Sequence, residues 1–435
     1  MTVIPQVSRV APAPPAGPRK LKYSALGGLI FRIAFRGALL TLLTLGLHRF
    51  WMTTRLRRAY WAGIEVDGEP LEYDGKPTEL LLGFFVAVVV LAVILGGMNL
   101  ALVFGGILAG LDLQIAFNAS LPLLIPLGYY AQYRARRYLA ARTRWRGLRF
   151  GMAGGAGRYM LAATGHLLLT IATLGLLYPR MHQRLAKFQQ ERTFYGTLRF
   201  RQDGRWQRMM GPWLWTWGVM VVAVAPVGWQ GYAAYQAIQD AANGQGPISP
   251  EDNEALGQQI LAAMGFFFGA LVLSWPLRRW YAARAEAVLM GGLGLGGARF
   301  ASSLRAGTLM GVDVKGWAVM LFAMTLAVGV FIGIVFAAAA SLGKVDEEMF
   351  ENIFGLLLQA ETAGFAVAVI GGYVAIIILF FSIGQITGVH WPLRARIEAL
   401  HVEGVETLSE ARQRERDDAA EAGGFADALD VGAGF

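Results

Sequence analysis

The chain has 435 residues, 55% of them hydrophobic and only 16% charged, with a formal net charge of +9 and no cysteine. Soluble domains carry about 25% charged residues, and several apolar runs here exceed roughly 18 residues, so a polytopic membrane protein is expected. Without cysteine, disulfides, thiolate chemistry and Cys-ligated metals are excluded; in a membrane protein the excess of Lys and Arg is first a topology signal rather than a nucleic-acid footprint.

In chain order, residues 1–22 are proline-rich and lack an apolar signal core, which predicts a disordered cytoplasmic tail. A first membrane module, 23–150, opens with the apolar segment Leu26–Leu47. Arginines precede it, interrupt it (Arg32, Arg36) and follow it (Arg49, Arg55, Arg57, Arg58). A full span would leave cations on the wrong side, so the segment is expected to dip into the cytoplasmic leaflet and return, or to lie along its surface. From Pro77 to Tyr133 there is then no Lys or Arg, predicting a hairpin with spans near Leu80–Val103 and Ile115–Tyr133 joined around Asp112. A second module, 151–300, repeats the order. Tyr159–Tyr178 is its dipping segment, and the Lys/Arg-free stretch Met209–Leu277 holds spans near Trp213–Tyr235 and Ile260–Leu277. A reduced third module, 301–404, has spans near Trp317–Ala340 and Phe365–Thr387. Residues 405–435 are predicted to be a charged cytoplasmic tail running on from a short helix. The three hairpin stretches hold one, Lys344, of the 39 basic residues. The positive-inside rule therefore puts the hairpin loops outside and both termini in the cytoplasm. Eight ordinary spans with a local violation of that rule remain the alternative to six spans and two dips.

Each apolar block is followed by a basic aromatic segment, and several of these run into a short strand-like piece such as WRGLRF, YGTLRF or GGARF. Arg149-Phe150 and Arg299-Phe300 close two such pieces, suggesting internal repeats. The fold class expected is therefore membrane all-α: a polytopic bundle of helical hairpins with internal repeats, amphipathic basic interfacial helices and short cytoplasmic β additions. Trp and Tyr rings settle at headgroup depth, and arginines beyond them meet lipid phosphates at about 1 kcal/mol each near an anionic leaflet. The candidate headgroup residues are Trp51, Arg55, Arg57 and Arg58; Arg134, Arg136 and Arg137; Arg180, Arg184 and Lys187; Arg278 and Arg279; Arg394 and Arg396. Pro179, Pro276 and Pro392, just ahead of the arginines, are placed to restart a helix there.

These features resemble the YjgN-like family of bacterial inner-membrane proteins, a domain of unknown function. Phe35-Arg36-Gly37, Thr44-Leu45-Gly46, Phe50-Trp51, Arg55, Arg57, Arg58 and Tyr60 carry the first occurrence of its pattern. Trp145-Arg146-Gly147, Arg149-Phe150, Thr173-Leu174-Gly175, Tyr178-Pro179, Arg184 and Phe188 carry the later one. His48 stands where the family usually has an aromatic, and the third copy reads SIGQITGVHWP, without the Thr-Leu-Gly triplet. The resemblance implies an inner-membrane location and no assigned activity, and it transfers no catalytic residue.

Little in the chain points to catalysis. The five histidines form no HExxH and no close cluster with carboxylates, so neither a metal nor another cofactor is expected. His48 and His390 are read as interface anchors and His166 as a hydrogen-bonding residue within a dip. Asn99 and Gln385 are the polar residues placed deep in the hairpins, whereas Asp112, Asn118 and Glu361 fall near loops. Glu79 is read as a first-turn acid with Thr78 as the cap. The glycine strings GMAGGAGRY and GGLGLGGARF lack the phosphate-loop signature and are read as flexible connectors. The expected function is a non-enzymatic membrane module whose basic face binds anionic lipid headgroups, a protein partner or a second copy of itself, and no nucleic acid. A transporter or channel for a small solute between the hairpins is the alternative.

Overall fold

The computed structural model describes residues 17–108, 110, 122, 124–242, 250–341 and 363–414. A ring of short antiparallel strands organises it. β1 (Arg19–Lys20), β2 (Lys22–Tyr23), β3 (Ile64–Val66), β4 (Glu69–Pro70) and β5 (Glu72–Tyr73) come first. They are followed by β6 (Thr143–Trp145), β7 (Leu148–Met152), β8 (Thr193–Tyr195), β9 (Leu198–Gln202), β10 (Leu293–Leu295), β11 (Ala298–Ser302) and β12 (Leu400–Glu403). One sheet runs β1-β12-β11-β10-β9-β8-β7-β6-β5 and the other runs β2-β3-β4. The chain joins them at both ends. Only Leu21 separates β1 from β2, and its amide donates to the Leu400 carbonyl at 3.2 Å; only Leu71 separates β4 from β5, and its amide donates to Ile64 at 2.9 Å. The strands thus close on themselves as a small barrel, a form that leaves no sheet edge open to wrong pairing.

Local chemistry explains the hairpins. Asp67-Gly68 and Arg146-Gly147 both hold positive φ at both positions, which two-residue turns between twisted strands require. The residues flanking three of the turns are cross-strand partners that face inward: Trp145 with Leu148, Tyr195 with Leu198, Leu295 with Ala298. Two residues on, Phe150, Phe200 and Phe300 face the same core, since strand side chains alternate with a period of two. The recurring Arg-Phe pairs thus divide between outside and inside. Val402, Val405, Leu408 and Ala411 complete the core, which is filled with side chains.

Helices join the strand pairs that turns do not. β2 leads through α1 (Gly27–Leu43) and α2 (Arg49–Ala62) to β3. β5 leads through α3 (Pro77–Leu108) and α4 (Leu124–Ala141) to β6. β7 leads through α5 (Ala156–Ala172) and α6 (Tyr178–Gln190) to β8. β9 leads through α7 (Met210–Ala242) and α8 (Pro250–Gly291) to β10. β11 leads through α9 (Ala306–Ser341), α10 (Ala363–Gly384), a π-helical turn Gln385–His390 and α11 (Trp391–Glu398) to β12. The strands flanking each excursion are hydrogen-bonded neighbours: Tyr23 faces Ile64, Tyr73 faces Thr143, Met152 faces Thr193, Gln202 faces Leu293 and Ser302 faces Leu400. Both ends of all five excursions therefore stand at the barrel.

Five helices are long and apolar enough to cross a membrane: Pro77–Leu108, Trp206–Ala237, Gly257–Gly291, Ala306–Ala337 and Ala366–Glu398. They account for five of the six expected spans; of the sixth, Ile115–Tyr133, residues 124–133 are helical in α4 while 115–121 and 123 lie outside the described residues, as do Asp112, Asn118, Lys344 and Glu361. The two apolar segments expected to dip form helices of 17 residues, each turning back at a Thr-Leu-Gly triplet. Leu45 and Gly46, like Leu174 and Gly175, have positive φ. The Gly46 amide donates to Thr41 and the Gly175 amide to Thr170, both at 2.7 Å, capping the helix end.

Several expectations are corrected. The amino-terminal tail ends before residue 22, because Arg19–Tyr23 takes part in the ring through β1 and β2. At the other end, Val405–Glu410 is a 3-10 helix whose Val405 and Leu408 enter the barrel core, so the segment from 405 to 414 is no solvated tail. The Arg412 amide donates to Thr197 Oγ1 and the Arg149 amide to Gln413 Oε1, holding that segment across two hairpins. The first glycine string ends β7 and begins α5, and the second holds β10, a turn and the start of β11, so neither is a structureless connector throughout. Thr78 lies inside α3, which starts at Pro77, and is not its cap; Glu79 is the first-turn acid expected, and it also pairs with Arg142 at 3.0 Å and accepts from Tyr138 at 3.1 Å.

Candidate functional site

The basic helices are not alike in what their cations touch. α2 turns back against α1, close enough that a Cβ on Gly37 would stand 2.3 Å from Met52. One stripe of α2 at helical spacing, Arg49, Met52, Thr53, Leu56, Arg57 and Tyr60, borders a cavity of about 1010 Å³. α1 lends Ala38, Thr41 and Leu42 to the same cavity, again at spacings of three and four, and Leu45 joins them from the turn that follows. α10 lends Val374, Ile377, Ile378 and Phe381, and α9 lends Asp313, Gly316 and Trp317. Arg279 from α8, Gln385 and Thr387 from the π-helical turn and Arg396 from α11 complete it. The volume lies at the upper end of the ~300–1,000 Å³ usual for ligand sites.

The cavity has two characters. Leu42, Leu45, Trp317 and Ile377 are exposed apolar side chains on its border, so it opens sideways toward whatever surrounds the helices. Four guanidiniums line it against one carboxylate. Asp313 is held by Arg279, with Nη2 to Oδ1 at 3.0 Å and a short contact from Nε to Oδ2, and it accepts from Trp275 Nε1 at 3.0 Å. Arg396 reaches Glu286 at 3.5 Å. Arg57 is buried, with its guanidinium 3.4 Å from the Tyr73 hydroxyl and 5.9 Å from the centre of that ring.

A π-helical turn replaces the missing Thr-Leu-Gly triplet, so α10 runs into α11 without the tight turn of the first and third excursions. Such turns appear mostly at functional positions, because they displace backbone groups from the ordinary ladder. Here the Tyr60 hydroxyl donates to the Gln385 carbonyl at 3.3 Å, tying α2 to that turn. Below it His390 is buried with Nδ1 3.0 Å from the Tyr23 hydroxyl, so it links β2 to the fifth excursion and is not an interface anchor. Burial pushes Tyr23 up to about 12 and Arg394 opposes that shift; the phenol keeps its proton at neutral pH.

The other expected residues sort by environment. Arg55, Arg184 and Arg278 are exposed and meet no hydrogen-bond or ion-pair partner among the described residues. Arg58 is exposed and donates to the Gly75 carbonyl at 3.0 Å, Arg136 donates to Gln189 Oε1 at 2.8 Å, and Arg394 pairs with Glu398 at 2.8 Å. Arg137 donates to the Met152 carbonyl at 3.0 Å and Lys187 pairs with Glu191 at 3.3 Å. Arg134 and Arg137 border a smaller recess with Arg158. Trp51 stacks on His48 at 6.1 Å, and Arg180 and Arg184 lie within electrostatic reach of His166. Asn99 Nδ2 donates back to the Leu95 carbonyl, leaving Oδ1 buried without a partner among the described residues. Arg57, Arg279 and Arg396 are thus cavity residues held by protein groups, not part of an exposed headgroup face. Sequence reasoning passed over Arg49, although the stripe from Arg49 to Tyr60 was there to be read.

A search of curated proteins and a search of solved structures each returned no match. A family model described as "Bacterial protein of unknown function (DUF898)" matches residues 18–428. That range takes in the barrel and all five helical excursions, so the chain belongs to this bacterial family of unknown function, the YjgN family.

Proposed function

We propose that the protein is a non-enzymatic inner-membrane module whose barrel and termini lie in the cytoplasm and whose returning helices bind anionic lipid headgroups. One observation carries the reading: Arg55, Arg184 and Arg278 stand exposed on α2, α6 and α8, the returning limbs of three separate excursions. Each limb leads straight to a strand of the same barrel. The arginines therefore share one side of the helical layer, where cations stay during insertion and where phosphates are met. Recurrence of the helix and hairpin unit around the ring fits the internal repeats expected from the sequence. The fifth excursion, with its π-helical turn, is the departure.

Two measurements test this. Because the chain has no cysteine, a single cysteine at Asp203 should stay unlabelled by an impermeant maleimide in intact cells, while one at Gln245 should label; the reverse would end the assignment of sides. In reconstituted vesicles, spin-labelled anionic lipid should associate more strongly than its zwitterionic counterpart. The combined change Arg55→Gln, Arg184→Gln, Arg278→Gln should lower that preference by about a hundredfold, at about 1 kcal/mol per residue. Equal association of both lipids with the unmodified protein would refute headgroup binding, and solute flux into the vesicles would favour a transporter.

A further inference from the structure

We infer that a groove inside the fifth excursion, between the outgoing helix α9 and the returning helix α11, holds the head of one anionic phospholipid whose head bears hydroxyl groups rather than an ammonium. The groove measures about 730 Å³. Two stripes face each other across it, each at spacings of three and four. One is Arg305, next to the first residue of α9, with Thr308, Val312 and Lys315; the other is Trp391, Arg394, Ala395 and Glu398 of α11. On α11 the cation is already matched, because Arg394 Nε donates to Glu398 Oε1 at 2.8 Å. On the α9 side the cations are not: Arg305 and Lys315 are exposed and meet no hydrogen-bond or ion-pair partner among the described residues. They stand about 15 Å apart along the axis, at 1.5 Å per residue, so one head lying between them is met from two sides. A guanidinium grips phosphate oxygens as a fork and an ammonium meets them as a point charge. A head carrying its own ammonium would add a cation beside Arg305 and Arg394.

The continuation of the α9 stripe selects a lipid over a soluble phosphate ester. Beyond Lys315 it reads Val319, Phe322 and Leu326, again at spacings of four and three. All three are exposed apolar side chains, on a helix long and apolar enough to cross a membrane. A phosphate at Lys315 therefore lays an acyl chain along that track, and Trp391 across the groove supplies the amphipathic ring that settles at headgroup depth. Thr308, exposed lower in the groove, offers a hydroxyl to the outer part of the head. The inference rests on the reading that this end of the helices meets the cytoplasmic leaflet, but on none of the three arginines that carry that reading.

The test uses the full chain, purified in detergent, stripped of loosely held lipid and examined by native mass spectrometry. Phosphatidylglycerol and phosphatidylethanolamine are offered at equal concentration, and one phosphatidylglycerol should remain per chain. Arg305→Gln combined with Lys315→Gln should weaken its retention about thirtyfold, the product of two headgroup contacts. Ala395→Trp, which fills the groove and leaves every charge in place, should abolish retention. If either variant fails to fold, its thermal melt reports it, and the other decides. The combined Arg55→Gln, Arg184→Gln, Arg278→Gln change should leave the retained lipid in place, so failure of the exposed belt and failure of this groove read separately. Equal retention of phosphatidylethanolamine, unchanged retention in either folded variant, or thermal protection by inorganic phosphate with no lipid retained would each overturn the proposal.

Discussion

The two short excursions align without a gap from Ile30 and Tyr159 onward, with Thr44-Leu45-Gly46 set against Thr173-Leu174-Gly175. Their turns match bond for bond. Thr41 Oγ1 donates to Gly37 at 2.7 Å and Thr170 Oγ1 to His166 at 2.8 Å; Thr44 and Thr173 accept from the amides of His48 and Leu177. What surrounds the turns differs. At the second tip Trp213 Nε1 donates to the Gly175 and Leu176 carbonyls, at 3.2 and 3.1 Å, and Trp217 Nε1 donates to Leu174 at 2.8 Å. The helix stripe that reads Arg49, Thr53, Arg57 in α2 reads Tyr178, His182, Ala186 in α6. Tyr178 there stacks on Trp213 at 4.7 Å, and His182 Nδ1 lies 3.0 Å from the Tyr281 hydroxyl. One stripe borders a cationic cavity and the other is packed with rings. A local triplet builds the turn; the side chains across from it decide whether the space beside it is filled or kept.

That contrast can be broken from the filled side. Trp213→Ala removes a ring that contacts Tyr178 and Tyr281, together with two hydrogen bonds. It should cost about 3–5 kcal/mol, read as a lowered Tm in detergent. Trp317→Ala, at the border of the first cavity, should cost a fraction of that, since Trp317 is already largely exposed. Equal losses would show that the first excursion depends on its neighbours just as the second does. Next in size is Asp313→Ala, which leaves Arg279 and Trp275 without their shared acceptor, for about 1–3 kcal/mol. Gly46→Ala and Gly175→Ala sharpen the comparison. Both positions hold φ near +90°, at 96° and 89°, and neither added Cβ would clash, the nearest atom to Gly175 being Trp217 Cδ1 at 3.7 Å. Both should cost the same, about 1–2 kcal/mol, for backbone strain alone; a marked inequality would show that the turns are not equivalent.

The smallest effect expected is on pH dependence. Burial holds His182 below its ordinary value near 6.5. Between that value and its folded pKa the unfolded chain binds a proton that the folded chain refuses, so stability falls as pH drops through this window. Melting curves at neutral and mildly acidic pH should separate, and His182→Gln should draw them together. Thr53, at the matching position of α2, supplies no such dependence.

The legible parts of the fold came from residues whose effect is local. The Lys/Arg-free stretches marked the long excursions, because each cation is costly to move across a bilayer. The Thr-Leu-Gly triplets marked the short ones, although the sequence did not say that a basic helix would run straight back to the adjacent strand. The recurring Arg-Phe endings pointed to strands, but five residues carry too little period to reveal a barrel. Arg19–Lys20, set aside as part of a tail, pairs with His401–Val402 at the opposite end of the chain. No local signal announces a partner that far away.

The candidate site divides in the same way. Arg57, Arg279, Arg396 and Gln385 were singled out one by one as interface or intramembrane residues, and all four border one cavity. Their chemistry was visible, but their meeting was not. Residue type and spacing settled which segments are apolar, where backbones turn and where cations collect, since those costs fall on single residues and their near neighbours. Ring closure and the gathering of four guanidiniums from three excursions were left to tertiary structure, because both depend on hydrogen bonds and packing between segments hundreds of residues apart.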